Sequence, residues 1–276
     1  MQWGSSDSGV VNPNSSISVL AVAGVTGSGK DTFYRLLAAT CKQAVRQKFA
    51  YPLQDAVAVL GGFYDKLGGH RYWFEDQSWK DSCLVSLHNV KYDKQARAEV
   101  FAKLTNIWCA APLDADYRYG KIELFNLSRR VVLGTKIYSC LDFWFDECFP
   151  EDAYTPREIQ KRLGTDLMRK RLEPDLWVSC LARALKEVAQ GSLVVITDVR
   201  FPNELELVRR YDGKLVYLKN EKAWLKAKSE GKLSHESELY NDYLYSNADW
   251  VYDNSGSLEE LKKFVELLKE LWWLSA

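Results

Sequence analysis

The sequence predicts an α/β fold with a doubly wound parallel sheet, and two observations carry that prediction. Residues 19–23 and 193–196 form short, continuously apolar runs, which suit strands that are buried on both faces. Segments with helical spacing of apolar residues alternate with these runs, and such alternation is typical of a parallel sheet covered by helices. We therefore expect residues 19–23 to form a central strand.

The other elements are predicted from spacing and from helix-capping signals. Thr155, Pro156 and Glu158 stand at the N-cap, first and third positions of one helix start, and Ser257 with Glu260 forms another. Further strands are predicted at about residues 47–51, 214–218 and 250–252. Helices are predicted at about residues 30–46, 174–189 and 202–211, and a terminal helix follows residue 257.

Composition and charge limit the class of protein. A chain of 276 residues with 47% hydrophobic and 27% charged residues is ordinary for a globular protein. We expect one domain at residues 17–276, with a helical insertion rich in Trp and Tyr at about 54–150. The 37 basic and 37 acidic residues balance, so no global field attracts nucleic acid or a membrane surface. Any anion site must therefore be local.

The N-terminal residues and the cysteines indicate the compartment. Residues 1–16 are rich in Ser, Gly and Asn and lack the regions of a signal peptide, so they predict a disordered leader. The six cysteines form no C-x-x-C pair and have no histidine at metal-ligand spacing, which favours reduced thiols. We expect a cytoplasmic protein.

A glycine-rich segment follows the first predicted strand. Residues 24–30, Gly-Val-Thr-Gly-Ser-Gly-Lys, match the pattern G-x-x-x-x-G-K. The glycines let backbone N–H groups surround an anionic phosphate, and Lys30 supplies a positive charge. A glycine-rich turn with an incidental lysine is the alternative, but the flanking strand and helix favour a triphosphate site. After the lysine Asp31 replaces the usual Ser or Thr, and the hydroxyl comes one residue later, at Thr32.

A second set of polar residues follows the apolar run at 193–196. In this type of sheet, ligands bind at the carboxyl ends of the strands, where both the glycine-rich segment and Asp198 fall. For Asp198, a turn or capping role is the alternative to magnesium or phosphate binding. Arg200 is either a surface ion-pair partner or a ligand for phosphate oxygens. Glu204, taken alone, is better explained by the dipole of the helix that Pro202 opens.

Three further features each have two interpretations. Trp177 shares helical spacing with Leu181 and Leu185, so core packing and stacking on a base are equally open. Residues 235–238, His-Glu-Ser-Glu, alone predict an exposed polar loop. A basic cluster is either a solvated face or a segment that closes over phosphates; it comprises Lys161, Arg162, Arg169, Lys170 and Arg171.

Ordered blocks along most of the chain resemble the deoxynucleoside monophosphate kinases of tailed bacteriophages, P-loop kinases related in fold to the adenylate kinases. Besides Ser-Gly-Lys-Asp-Thr at 28–32, they are Phe-Ala-Tyr-Pro-Leu at 49–53, Thr-Pro-Arg-Glu at 155–158, Leu-Gly-Thr at 163–165, Pro-Asp-Leu-Trp-Val at 174–178, Thr-Asp-Val-Arg-Phe-Pro-Asn-Glu at 197–204, His-Glu-Ser-Glu at 235–238 and Asp-Asn-Ser-Gly-Ser-Leu-Glu-Glu at 253–260. The eight-residue block at 197–204 is the most specific of them.

The resemblance implies a P-loop NTPase fold of the nucleoside monophosphate kinase type, with the insertion on the acceptor side, and ATP and Mg²⁺ as cofactors. The implied donor site comprises Gly24, Thr26, Gly27, Ser28, Gly29, Lys30, Asp31 and Thr32. The implied catalytic residues are Lys30, Asp31, Asp198, Arg200 and Glu204, and the magnesium ligands are to be found among Asp31, Thr32 and Asp198. The implied acceptor site comprises Arg157, Lys161, Gly164, Thr165, Arg169 and Trp177.

The sequence departs from the family pattern in the acceptor region. Gln54 stands where the family often has Lys, and Lys161 where it often has Gln, which puts the base preference of the acceptor pocket in doubt. The implied partners are small-molecule nucleotides, without nucleic acid or a membrane, and a homodimer is left open. A viral protein of this kind would work in the host cytoplasm.

The implied activity is transfer of the ATP γ-phosphate to a deoxynucleoside 5′-monophosphate, which gives a diphosphate for DNA precursor synthesis. Two alternatives stay open. One is a P-loop kinase of another small phosphate, such as the animal type of phosphomevalonate kinase, which shares a Gly-Lys-Asp loop. The other is a catalytically degenerate nucleotide-binding protein, although the presence of Lys30, Asp198 and Arg200 argues against it.

Overall fold

The computed structural model describes residues 17–109, 121–231, 233 and 236–273. The predicted leader at 1–16 and His235 lie outside the described residues. The strands are β1 Ser18–Ala23, β2 Ala44–Gln47, β3 Val85–Ser86, β4 Ala153–Tyr154, β5 Leu193–Ile196, β6 Lys214–Lys219 and β7 Trp250–Asp253. The α-helices are α1 Lys30–Thr40, α2 Tyr51–Leu60, α3 Gln77–Ser82, α4 His88–Tyr92, α5 Lys94–Cys109, α6 Lys121–Cys148, α7 Pro156–Lys161, α8 Leu176–Lys186, α9 Pro202–Arg210, α10 Glu221–Ser229, α11 Asn241–Ser246 and α12 Leu258–Trp273.

The chain divides into two compact units. The sheet unit consists of residues 1–48 and 188–276, and the helical unit of residues 49–187. The insertion predicted at about 54–150 stays a prediction, since compactness alone does not test where a domain begins. No helix among the described residues is both long enough and apolar enough to cross a membrane.

The sheet unit is built on five parallel strands in the order β2-β5-β1-β6-β7. β1 lies in the centre, where Leu20 pairs with Val195 of β5 and Lys214 of β6. Leu20 and Val22 are buried against α1 and α12, while α9 packs on β1 and β6. The predicted α/β fold with a doubly wound parallel sheet is therefore confirmed.

The helical unit is held by an aromatic core. Trp108 and Trp177 are fully buried and meet edge to face, with ring centroids 5.4 Å apart. Phe101, Phe145 and Phe149 extend the same cluster. Aromatic side chains bury large areas, so these residues supply much of the core of the unit. A short antiparallel pair, β3 with β4, also belongs to this unit.

The largest error of sequence prediction lies between α1 and α2. The predicted helix at 30–46 ends at Thr40, and the predicted strand at 47–51 is instead β2, Ala44–Gln47. The chain must return to the sheet here to pair with β5, and that ladder overrides the local helical pattern. Pro52 does not end a strand but lies in the first turn of α2, where its missing N–H costs nothing.

Both predicted capping boxes are present. Thr155 accepts a hydrogen bond from the backbone N–H of Glu158, whose side chain accepts one from the backbone of Thr155. Ser257 and Glu260 make the same reciprocal pair at the start of α12. Along α12, Leu261, Val265 and Leu268 are buried, whereas Leu271 is 45% exposed.

All six cysteines are free thiols, as predicted. Burial raises the pKa of Cys180 to about 11, although Arg183 nearby opposes that shift. A thiol with a raised pKa is a poor nucleophile at neutral pH. Cys180 therefore acts as an apolar core residue of the helical unit.

Candidate active site

The glycine-rich segment forms a phosphate-binding loop between β1 and α1. Gly24, Gly27 and Gly29 have φ values of 135°, 85° and 99°, a region that side chains disfavour. A Cβ on Gly24 would lie 2.4 Å from the carbonyl oxygen of Leu218, and one on Gly29 would lie 2.3 Å from Nδ2 of Asn254. Only glycine fits at these two positions, so the loop backbone is fixed by its neighbours.

The loop presents unpaired donors at the start of α1. Gly29 is the N-cap of this helix, and no side chain caps it. The first N–H groups of a helix have no intrahelical partner and carry a partial positive charge, so they favour an anion. Oγ of Ser28, also in the loop, is buried and has no hydrogen-bond partner among the described residues. The loop thus has both main-chain and side-chain capacity for phosphate oxygens.

Lys30 folds back onto its own loop. Its ammonium donates hydrogen bonds to the carbonyl oxygens of Gly24, at 2.7 Å, and Val25, at 2.9 Å. Loss of water around the ammonium and the nearby Arg200 lower the pKa of Lys30 to about 7, while Glu238 and Asp198 oppose that shift. A phosphate group bound in the loop would raise the pKa of Lys30 again, because a nearby anion favours the charged ammonium.

The predicted residues after β5 have different surroundings. Glu204 is 2% exposed, and its Oε2 accepts hydrogen bonds from the backbone N–H groups of Arg200, at 2.8 Å, and Phe201, at 3.2 Å. This arrangement caps the start of α9 and favours the helix-start interpretation of Glu204. Asp198 and Arg200 are only partly buried, at the carboxyl end of β5.

Asp31 lies among cations. Its Oδ1 accepts a hydrogen bond from Nη2 of Arg46 and lies 3.7 Å from Nζ of Lys48. Nε of Arg46 also donates to Oγ1 of Thr197, at 3.1 Å. Asp31 therefore serves as a counter-ion for two basic residues of the β2 edge. Sequence reasoning missed Arg46 and Lys48, because the error in placing β2 hid that both lie at the carboxyl end of a sheet strand.

Glu238 is another residue that sequence reasoning left out of the site. The side chain is 6% exposed, and its Oε1 accepts hydrogen bonds from Nη1 of Arg200 and from Oγ1 of Thr26, the latter at 3.3 Å. The available signal was the block at 235–238, which alone predicted an exposed loop. Asn254 was missed too, and its side-chain amide donates to the carbonyl of Ser28 at 2.8 Å.

In the helical unit, part of the predicted acceptor set lies on an unusual helical turn. Residues Arg162–Arg169, directly after α7, form a π-helix that contains the buried Gly164 and Thr165. π-Turns are rare and occur often at functional sites. A Cβ on Gly164 would lie 2.7 Å from Cδ1 of Leu53, so the end of the Leu53 side chain would have to move to admit a larger residue here.

Trp177 belongs to the core of the helical unit. It is 2% exposed, its indole N–H donates to the carbonyl of Gly164 at 3.1 Å, and its ring meets Trp108 edge to face. Of the two interpretations, these contacts favour packing over stacking on a base. Trp177 therefore supports the backbone at Gly164.

The predicted basic acceptor residues are engaged with their own unit. Arg157 forms an ion pair with Asp81 and donates from Nη2 to Gln77 at 2.8 Å, both on α3. Arg169 donates to the carbonyl of Pro174 at 3.4 Å, and Lys161 ends α7. A separate cavity of about 530 Å³ in this unit has no predicted acceptor residue in its lining; its aromatic members are Phe63, Trp73 and Trp79.

A glycine-rich loop joins the central parallel strand to an uncapped helix, and a lysine stands at the start of that helix. This combination defines the fold and site of a P-loop kinase. The family model of the deoxynucleotide monophosphate kinases matches residues 122–265, just over half of the chain. The chain belongs to this family. It is therefore an enzyme that transfers a phosphoryl group to a deoxynucleoside monophosphate.

A curated relative agrees with that assignment. The chain is 25% identical over 201 residues to the deoxynucleoside-5′-monophosphate kinase of Escherichia phage T5. The aligned region covers 69% of this chain and 71% of that protein. The range matched by the family model contains all the predicted acceptor residues together with Asp198, Arg200 and Glu204. The phosphate-binding loop precedes that range, so its assignment depends on its own geometry.

Proposed function

We propose that the enzyme transfers the γ-phosphate of ATP to a deoxynucleoside 5′-monophosphate, giving ADP and a deoxynucleoside diphosphate for DNA synthesis. The observation that carries the donor assignment is the loop of residues 24–30, whose left-handed glycines, uncapped helix start and lysine suit a triphosphate. Thr26, Gly27 and Ser28 supply the middle of this cradle, and Asp31 and Thr32 follow it in α1.

The nucleophile needs no general base. A phosphate monoester has a second pKa near ~6, so an acceptor phosphate is mostly dianionic at neutral pH. The protein then has to align the two phosphates and compensate the charge that moves between them. Lys30 and Arg200 are our candidates for that compensation in the sheet unit. The geometry of Glu204 supports a role in fixing the backbone of Arg200.

Magnesium fits the residues near the loop. When bound, Mg²⁺ would neutralise charge on the donor phosphates. Thr32 and Asp198 offer the hard oxygen donors that Mg²⁺ prefers, whereas the contacts of Asp31 with Arg46 and Lys48 support a counter-ion role. Among the described residues no group of three or more metal-ligating side chains occurs, which agrees with a Mg²⁺ ion held largely by phosphates and water.

The acceptor is assigned to the helical unit. We place its phosphate with the basic residues Arg157, Lys161 and Arg169, and its sugar and base near Gly164 and Thr165. The π-helix at Arg162–Arg169 supports this assignment, since it breaks the regular hydrogen-bond ladder where these residues lie. The hydrogen bond from Trp177 to the carbonyl of Gly164 supports an indirect role for Trp177, which is to hold that backbone in place.

A substrate panel tests the function. ADP release should be measured with dGMP, dTMP, dCMP, dAMP and their ribose counterparts, with phosphomevalonate as a ninth compound. At least one deoxynucleotide should be turned over much faster than its ribose counterpart. Turnover of phosphomevalonate alone would support the alternative kinase class, and tight ATP binding with no turnover of any compound would support the degenerate alternative.

We also propose that the partners are nucleotides alone and that the enzyme works in the cytoplasm, which is the host cytoplasm for a viral protein. The balanced charge of the sequence supports the absence of nucleic-acid binding. Monomer and homodimer are distinguished by sedimentation equilibrium of the purified chain.

A further inference from the structure

A buried carboxylate ties the phosphate-binding loop to the end of β5. Oε1 of Glu238 accepts hydrogen bonds from Thr26 in the loop, at 3.3 Å, and from Nη1 of Arg200. Oε2 accepts from Nδ2 of Asn241 at 3.1 Å, and Asn241 also donates to the backbone carbonyl of Glu238, at 2.8 Å. The side chain of Glu238 is 6% exposed, while that of Arg200 is 33% exposed.

The carboxylate is itself held from a sheet strand. The hydroxyl of Tyr217, in β6, donates to Oδ1 of Asn241 at 3.3 Å, and that bond orients the amide toward Glu238. Three segments of the sheet unit therefore converge on one side chain: the loop, the start of α11 and the residues after β5. A surface ion pair would not have this fixed support.

We propose that Glu238 is a positioning residue, which holds the guanidinium of Arg200 beside the phosphate-binding loop so that Arg200 is oriented before the donor binds. This inference depends on the proposed role of Arg200 in phosphoryl transfer. Nothing in the family assignment or in the relative's name gives Glu238 a role.

The chemistry of arginine explains why such an anchor is useful. A guanidinium has five N–H donors in a rigid plane, so one edge can be held by a carboxylate while the rest of the plane faces another anion. A long unanchored side chain must lose its rotamer freedom on every catalytic cycle. Glu238 removes that loss in advance, because it is buried and already bonded on both oxygens.

The test is a double-mutant cycle between Glu238 and Arg200. Glu238→Gln keeps the size of the side chain and an acceptor for Thr26 but removes the charge that holds Arg200. We expect kcat to fall by about 10²-fold, the scale of misplacing a catalytic group, with the KM for ATP changed less than about threefold. Arg200→Ala should lose a similar factor, and the double variant should lose no more than Arg200→Ala alone.

The matched control is Glu206→Gln, an exposed carboxylate on α9, which should leave kcat within about twofold. A second readout is the comparison of kcat with the KM for ATP in Glu238→Gln, because a change that only loosened the loop would raise the KM as kcat falls. If Glu238→Gln does not fold, Asn241→Ala replaces it, because that change removes the support of Oε2 and should give a smaller loss that also disappears in the Arg200→Ala background.

The outcomes separate this inference from the proposed function. Near-normal kcat in Arg200→Ala contradicts the proposed role of Arg200 itself. A large loss in Arg200→Ala together with normal kcat in Glu238→Gln overturns the positioning role alone. Losses that multiply in the double variant, or a KM for ATP that rises as much as kcat falls in Glu238→Gln, also overturn it, since Glu238 would then act independently of Arg200.

Discussion

The sheet unit and the helical unit use their predicted site residues in different ways. In the sheet unit, backbone geometry makes the site: three left-handed glycines and an uncapped helix start create an anion cradle, and the carboxylates of Asp31 and Glu238 hold cations around it. In the helical unit, the predicted residues are mostly engaged in packing and ion pairs of that unit. Chemistry that depends on backbone conformation leaves a strict sequence pattern, whereas chemistry that depends on side-chain neighbours does not.

Removal of the loop lysine should have the largest effect. Lys30→Met keeps the length of the side chain but loses the charge at the donor phosphates, so we expect kcat to fall by about 10³-fold. Steady-state kinetics with saturating nucleotides measure it. Lys42→Met, an exposed lysine just after α1, is the matched control and should be near normal. A similar loss in both variants would contradict a specific role of Lys30.

Trp177 tests whether a predicted site residue of the helical unit serves packing or substrate binding. Trp177→Leu removes the edge-to-face contact with Trp108 and the hydrogen bond to Gly164, so the free energy of unfolding should fall by about 3 kcal/mol. Urea denaturation measures this change, with the exposed Trp224→Leu as control. The KM for the acceptor should change less than about threefold. A rise in KM without loss of stability would instead favour stacking on the base.

Asp31 distinguishes a counter-ion from a metal ligand. Asp31→Asn loses the charge that holds Arg46 and Lys48, and we expect kcat to fall about tenfold. The Mg²⁺ concentration for half-maximal rate should stay within about twofold, because the metal is assigned to Thr32 and Asp198. Measuring the rate at increasing Mg²⁺ concentrations gives both kcat and the half-maximal Mg²⁺ concentration. A large rise in the half-maximal concentration would make Asp31 a magnesium ligand.

The smallest predicted effect is the uptake of a proton by the enzyme when the phosphate donor binds. Since the pKa of Lys30 is lowered to about 7 from 10.5, the free enzyme holds this lysine mostly neutral at pH 8, and a bound triphosphate recharges it. Calorimetry in two buffers of different ionisation enthalpy should find uptake of about one proton at pH 8 and much less at pH 6. Lys30→Met should abolish the uptake; uptake that persists would come from another group.

The same lowered pKa links the site to stability. The unfolded chain binds more protons than the folded chain between pH 7 and 10.5, so the Lys30 contribution makes stability rise with pH across that window. Below pH 7 both states carry the charge, and the full cost of burying the ammonium opposes folding. Binding of an anion at the loop removes that cost.

The sequence allowed β1, its loop and the start of α1 to be predicted together. They are consecutive in the chain, and the residues of each element determine where the next one begins. Apolar content marked the strand, and the glycines marked positive φ. The strand after α1 was misplaced because its four residues pair with β5, which lies far along the chain and leaves no local signal at β2. Glu238 was missed for the same reason: its partners Thr26 and Arg200 are 212 and 38 residues away.

Gly164 joins two of the sequence blocks that are distant in the chain. The space that its absent Cβ leaves is filled by the side chain of Leu53, from the Phe-Ala-Tyr-Pro-Leu block, and its carbonyl is held by Trp177. A larger residue at 164 would therefore displace the end of the Leu53 side chain, and a smaller residue at 53 would relieve that contact. Among homologues, these two positions are expected to vary as a pair, and an acceptor pocket could be reshaped by exchanging them together.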